Sequence, residues 1–187
     1  MMGVPRPTRA ELAAAKDQTI PDVIAPGLDI VFCGINPSLY AAATGHHFAR
    51  PGNRFWPALH LSGLTPRLLR PDEQDLLPDF GLGVTNLVAR ATARADELTD
   101  DELAEGGIRL RKLVAEHVPH ILAVVGVTAY RTAFGEPKAV LGEQPEPLES
   151  ARVWVLPNPS GLNAHYQLPD FATKFAELRT ATHTHAR

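Results

Sequence analysis

Three observations predict an α/β fold in which a mostly parallel sheet of four strands is covered by helices on both faces. Four short runs, 28–35, 83–88, 121–126 and 153–156, are dominated by Val, Ile, Leu and Phe and read as buried strands. Segments with helical spacing or helix-start signals separate them. Strands that alternate with helices need crossover connections, which turn right-handed and lay helices on both faces of a parallel sheet. A three-layer α/β/α arrangement follows. At 187 residues, 44% of them hydrophobic, the chain is long enough for one well-buried domain and not comfortably for two. We expect an N-terminal extension over 1–26, a single domain over 27–182 and a frayed tail over 183–187.

Residues 1–27 are rich in Pro and Ala, with a short helix predicted over 8–17 and a connector bracketed by Pro21 and Pro26. The first strand covers 28–35, and Pro37 ends it and holds the following turn open. A helix is predicted over 53–62, with Phe55, Trp56, Leu59 and Leu61 apolar and Gly63 as its stop. A second short helix over 71–80 opens with Pro71 and Asp72. The second strand and its exit fill 83–88. Thr99 and Glu102 then form a capping box for a helix to about His117, with Leu103, Leu110, Leu113 and Val114 on one face. Gly106 and Gly107 inside it each oppose helix by about 1 kcal/mol, so another element is expected to pass close by. The third strand leads to a helix over 128–134 and a Pro-punctuated excursion over 135–149, read as exposed. After the fourth strand, a helix over 168–180 turns Phe171, Phe175 and Leu178 inward.

Composition narrows the function classes. The one cysteine, Cys33, excludes a disulfide framework and a multi-cysteine metal or iron–sulfur site, and its place in the first strand makes it a small core residue. No stretch approaches the roughly 18 apolar residues of a membrane span, and the first 16 residues lack the apolar centre of a signal peptide. A soluble, cytoplasmic protein with no membrane partner is expected. A net charge of −3 is unsuited to a polyanion partner, but the charge is unevenly spread. Residues 30–71 contain no carboxylate and four arginines, Arg50, Arg54, Arg67 and Arg70. Residues 151–169 again lack carboxylates and contain Arg152. A local field, not the total charge, draws a polyanion to a surface.

Polar amides stand at the carboxyl ends of three strands: Asn36, Asn86 and Asn158. Ligands of open α/β sheets bind there, and loops held by a rigid scaffold carry chemistry. Asn36 and Asn158 both sit in Asn-Pro turns. The plain alternative is a turn in which each Asn satisfies its own backbone. Pro159 forbids glycosylation at Asn158-Pro159-Ser160. Leu162 follows Gly161 at a polar loop tip, and is either a plug that anchors the loop or a wedge of the kind that enters a base stack. His46 and His47 are adjacent, point in different directions and lack further ligands nearby, so no metal site is expected. A phosphate contact or loop packing fits them better.

Three motifs then gain a common meaning. The first is Gly34-Ile35-Asn36-Pro37, continued by Gly45-His46-His47-Phe48 and Pro51-Gly52-Asn53-Arg54-Phe55-Trp56. The second is Gly83-Val84-Thr85-Asn86-Leu87-Val88, and the third Pro157-Asn158-Pro159-Ser160-Gly161-Leu162. In this order they resemble the mismatch-specific uracil/thymine-DNA glycosylase family, above all its bacterial members, from about residue 27 to about 179. The resemblance implies the uracil-DNA glycosylase fold and a monofunctional hydrolase that needs no cofactor. It would cut the N-glycosidic bond of uracil, and of thymine or other modified pyrimidines, after flipping the base from mismatched duplex DNA. Asn36 would position the attacking water and Phe48 would stack on the base. Backbone amides around Ile35, Ser38 and Phe48 would read the pyrimidine edge, with Asn158 facing it. Ala41 would line the C5 side and leave room for a methyl group. Gly161, Leu162 and Asn163 would fill the vacated space and meet the opposite strand.

Further expectations accompany these. His46, His47, Arg54, Arg67 and Ser160 are candidate phosphate contacts. An amide cannot take a proton at neutral pH, and the sugar is cationic in the transition state. Asp96, the first carboxylate in the loop leaving the second strand, is therefore a candidate to assist Asn36. The partner would be double-stranded DNA with G·U or G·T mismatches, bound by a monomer. The chain departs from its relatives at Ser38, where some have Gly, and at Ala164, where bacterial ones carry a basic residue. At the second departure His165 comes next, and weaker contacts to the opposite guanine, with a less strict dependence on the mismatch, are expected. A non-catalytic lesion-binding module on the same fold would keep Leu162 and the arginines but need no positioned water. Asn36 favours the enzyme. A small-nucleotide hydrolase is disfavoured because no Gly-rich phosphate loop opens a helix.

Overall fold

The computed structural model describes residues 4–184. Its strands are β1 (Ile30–Gly34), β2 (Leu82–Asn86), β3 (Ile121–Val125), β4 (Gly142–Glu143) and β5 (Arg152–Leu156). They lie in the order β2-β1-β3-β5-β4, with β4 antiparallel at one edge and the other four mutually parallel. Every residue of β1, β2 and β3 is buried, which is why their sequences run apolar without alternation. The sheet has five strands where four were expected. The extra one lies inside the excursion 135–149, pairing Gly142 with Val155 and Glu143 with Trp154. Two residues carry no readable periodicity, and Gly142 takes φ 105, open only to glycine at low cost. The excursion is not wholly exposed either, because Leu148 is buried and bridges to Ala151.

The helices are α1 (Arg9–Ala14), α2 (Leu39–Thr44), α3 (Phe55–Leu61), α4 (Asp100–His117), α5 (Val127–Phe134) and α6 (Leu168–His183), with 3-10 segments at Pro71–Phe80 and Ala95–Glu97. Alternation along β1 divides the core. Ile30 and Phe32 face α3, α6 and the Pro71–Phe80 segment, while Val31 and Cys33 face α4 and α5. The Phe32 ring lies 5.2 Å from Phe55 edge-on and 5.3 Å from Phe175, so one strand residue joins both helices of that layer. Gly106 and Gly107 are explained by close approach. A Cβ at Gly106 would stand 2.3 Å from the Leu87 carbonyl oxygen, and one at Gly107 2.5 Å from that of Ala133. The first glycine thus lets α4 lie on the exit of β2 and the second lets it lie on α5.

Local details add to the expectation at three places. The segment after Pro37 is not all loop: Ser38 caps α2 by accepting from Ala41 N–H, and Gly45 ends it left-handed. Six residues are too few for a helical period to show. The N-terminal segment is also tied down. Val23 exchanges both backbone hydrogen bonds with Val84 of the edge strand β2, and Ile20 and Val23 are buried. α6 continues through His183, beyond the predicted end at 180, and the rest of the predicted frayed tail, 185–187, lies outside the described residues, as do 1–3.

β1 sits between β2 and β3: the connection leaving β1 runs outward to β2, and the one leaving β3 runs the other way, to β4 and β5. The carboxyl ends of β1 and β3 therefore flank a switch point, where the two departing connections leave a crevice.

Candidate active site

A cleft of about 470 Å³ opens at that switch point. Asn36, Asn86, Val125 and Asn158 bring the exits of all four parallel strands to its wall.

Asn36 is held by its amide nitrogen. Nδ2 donates to the Arg90 carbonyl oxygen at 3.0 Å and to Thr92 Oγ1 at 2.8 Å. Chemistry fixes this orientation. A carbonyl only accepts, and the Thr92 hydroxyl donates its own hydrogen to the Arg94 carbonyl at 2.7 Å. Both hydrogens of the amide are therefore committed, and Oδ1 is left as its one free acceptor. The holding loop is itself braced. The Thr92 N–H donates to the Pro37 carbonyl at 3.2 Å, and Arg90 pairs with Glu102 at 2.6 Å and with Asp17 at 3.0 Å. Hydrogen bonds from Arg90 hold the Glu102 carboxylate down to about 2.

Phe48 forms another wall. Its backbone is left-handed, φ 53, a conformation that a bulky residue adopts only when its surroundings impose it. The ring stacks on Phe55 at 4.2 Å. Gly34 is required here, since a Cβ would stand 2.5 Å from Asn86 Oδ1 and 3.4 Å from the Phe48 ring. His47, expected as a phosphate contact, is instead 2% exposed. Its Nε2 meets the Pro21 carbonyl at 2.8 Å, its N–H donates to Gln74, and its carbonyl accepts from Trp56 Nε1. Facing a carbonyl, Nε2 must carry the hydrogen, which leaves Nδ1 to accept from Asn86 Nδ2 at 3.5 Å. Burial pushes the His47 pKa down against the opposing pull of the Pro21 carbonyl, which keeps the ring neutral. His46 lines a separate hollow with Tyr40, Thr44 and Arg70 and is not part of the cleft wall.

Arg54 was likewise expected on phosphate, and its side chain is instead turned to the loop after β5. Its guanidinium donates to the carbonyls of Pro159 (3.2 Å), Tyr166 (2.7 Å), Asn163 (3.0 Å) and Ser160, and lies 4.8 Å over the Phe171 ring. It is the clamp of the loop after β5. Within that loop Asn158 Oδ1 accepts from Ser160 N–H and the Asn158 carbonyl accepts from Asn163 Nδ2. Asn158 therefore keeps its Nδ2 donors for the cleft. Gly161 packs on the backbone of Gly52, where a Cβ would come within 3.0 Å of the carbonyl oxygen, so the first and third loops touch. Leu162 stands at the tip of this clamped loop, 70% exposed, at the cleft mouth.

Of the other expected residues, Ser38 lines the cleft but uses Oγ as the α2 cap, Ser160 lines it beside Asn158, and Ala41 is a buried part of its wall. Asp96 reaches the rim, where its side chain is 70% exposed and paired with Arg94 at 3.0 Å. A solvated carboxylate already matched to a guanidinium has little field left for a cationic sugar. Arg67 pairs with Glu73 at 2.8 Å and is not in the cleft wall. Arg50, one of the four arginines of the carboxylate-free stretch but not singled out there as a phosphate contact, is exposed on the cleft rim, and its side chain makes no ion pair or hydrogen bond among the described residues. Its place in the carboxylate-free stretch was the available signal. Thr92 and Arg90 were also missed, and nothing local marks them.

A mostly parallel sheet covered on both faces, with an amide-lined cleft at its switch point, defines an α/β protein whose cleft stands where such folds bind their ligands. The uracil DNA glycosylase superfamily model matches residues 21–181, and the chain belongs to that family. The family acts on DNA as a hydrolase of base–sugar bonds, so DNA is the substrate class. The match begins at Pro21, whose carbonyl holds His47.

Proposed function

We propose that this protein is a monofunctional glycosylase that releases uracil, and more slowly thymine, from mismatched duplex DNA. The observation that carries the reading is Asn36, an amide locked by two acceptors so that only Oδ1 is free for a water. The target nucleotide leaves the stack, at a cost of a few kcal/mol, and Leu162 fills the space behind it. The pyrimidine stacks on Phe48. Backbone N–H groups at Ile35, Ser38 and Phe48, with Asn158 Nδ2, donate to its polar edge. A water donates to Asn36 Oδ1 and aims its oxygen at C1′. The N1–C1′ bond breaks with its electron pair leaving on N1, the water oxygen bonds to C1′, and its proton passes to solvent. Fixed donors around a developing anion each lower such a barrier by about 3 kcal/mol, so no general base is needed. Asp96 takes no part. Ala41 leaves room for the 5-methyl group of thymine.

The test is single-turnover release from duplexes carrying uracil or thymine opposite guanine, uracil opposite adenine, and uracil in single strands. The parent protein should act on G·U first and G·T more slowly. Asn36→Ala should lose at least about a hundredfold in rate, with duplex affinity changed by only a few-fold, because orientation acts on the barrier and not on binding. A parent protein that binds uracil-containing duplex and releases no base would establish the lesion-binding module instead.

A further inference from the structure

The segment that precedes β1 touches the site at a chemically specific place. Arg90 and Thr92, which supply the two acceptors for Asn36 Nδ2, flank Ala91. Ala91 is fully buried, and both its backbone groups are taken by the N-terminal segment. Its N–H donates to the Gln18 carbonyl at 2.9 Å, and its carbonyl accepts from the Asp17 N–H at 2.9 Å. Asp17 Oδ1 also accepts from Arg90 Nη1 at 3.0 Å. This geometry is built from the end of α1. Asp17 turns left-handed, φ 63, which Asp tolerates better than most residues and which points the chain along the open edge of β2. Further along the same segment, Pro21 holds His47, Asp22 Oδ1 accepts from Thr85 Oγ1 at 2.9 Å, and Val23 pairs with Val84.

We propose that residues 15–23 form a strap whose function is to position Asn36: by fixing Ala91, and Arg90 through Asp17, it sets the two acceptors that aim the amide. The inference rests on the water-holding role of Asn36 given above. Loops at strand ends are ordinarily the mobile part of an α/β site. Here the loop carrying both acceptors is zipped to a second piece of chain that covers the edge strand. A tilt of either acceptor moves Oδ1, and small misplacements of a reacting group are costly in rate. Asp17 is thus a positioning residue, and it is not part of the cleft wall.

The experiment uses the full chain with Asp17→Gly, which removes the carboxylate while leaving the left-handed backbone unstrained. Asp17→Asn, which keeps the Oδ1 acceptor, serves as the rescue. Single-turnover release from a G·U duplex should fall about fivefold in Asp17→Gly, with duplex affinity within about twofold, and Asp17→Asn should recover most of the loss. The decisive arm repeats the Asp17→Gly change in an Asn36→Ala background, using a duplex with 5-fluorouracil, a better leaving group that keeps the residual rate measurable. With no amide left to aim, the strap change should cost nothing further. A parent-like rate for Asp17→Gly overturns the inference, as does an equal loss with and without Asn36, which would mark a purely structural strap. Both results presuppose an active parent. A parent that releases no base from any duplex removes the function itself, and the strap's role with it.

Discussion

At Asn36 the amide nitrogen commits both hydrogens, to the Arg90 carbonyl and to Thr92 Oγ1. Rotating the amide by 180° would set its oxygen against two other oxygens, so the flipped form is excluded while both acceptors remain. Thr92→Val removes one acceptor and keeps the shape. Excision should then fall about tenfold, equivalent to about 1.4 kcal/mol in the barrier, with Thr92→Ser near the parent rate and duplex affinity unchanged. Single-turnover rates beside a binding isotherm check this. Asp96 offers the contrast at the same scale. Paired with Arg94 and 70% exposed, it can be removed as Asp96→Ala with less than about a twofold change in rate.

Loops and helices depend on contacts that span many residues of chain. The loop after β5 has no regular structure between Pro157 and Gln167, yet Arg54 donates to carbonyls at four points along it and packs on Phe171. Arg54→Ala should destabilise the fold by about 3 kcal/mol, since partly buried carbonyls lose a charged donor and a stacked side chain disappears. It should leave the salt dependence of DNA binding as it was. Arg50→Ala should do the reverse, with unfolding in urea unchanged and the salt slope reduced by about one, since one fewer phosphate is neutralised. In α4, Gly106→Ala raises helix propensity but drives a Cβ to 2.3 Å from the Leu87 carbonyl. Sterics dominate, and a loss of about 2 kcal/mol in urea unfolding is expected where an exposed helix would gain about 1.

For the whole molecule, pH dependence follows from which groups the fold neutralises. Burial lowers the pKa of His47 from its ordinary 6.5. The unfolded chain takes up a proton near pH 6.5 and the folded chain only at lower pH, so the unfolded state binds more protons between the two values. Stability is therefore complete above about pH 6.5 and is lost as the pH falls below it, until the folded ring also protonates. Glu73 and Glu102, held at about 2 by arginine hydrogen bonds, act later: their contributions are present above 4.5 and vanish as the pH falls through about 2. Unfolding measured from pH 7 to pH 5 should show a falling stability in the parent and a flatter profile in His47→Gln. The absolute stability of that variant will be lower, so the slope is the quantity to read.

Much of the fold was legible in the sequence because it rests on local chemistry. Buried strands had to be apolar, and the runs around Phe32 and Ala123 are. Thr99 with Glu102 had to start a helix, and it does so at Asp100. The polar residues at the strand exits also marked the cleft, since Asn36, Asn86 and Asn158 line it. What could not be read were contacts between residues 26 to 112 apart in sequence. Arg54 and Arg50 look alike in a carboxylate-free stretch, yet one is consumed by the carbonyls of a loop 105 residues or more away and the other stays free at the rim. His47 looked like a surface histidine until Pro21, 26 residues earlier, closed over it. The two-residue β4 and six-residue α2 are too short for a period to be counted. Which face of the Asn36 amide is offered to a water is a tertiary property, because the acceptors that decide it lie 54 and 56 residues downstream and only packing brings them together.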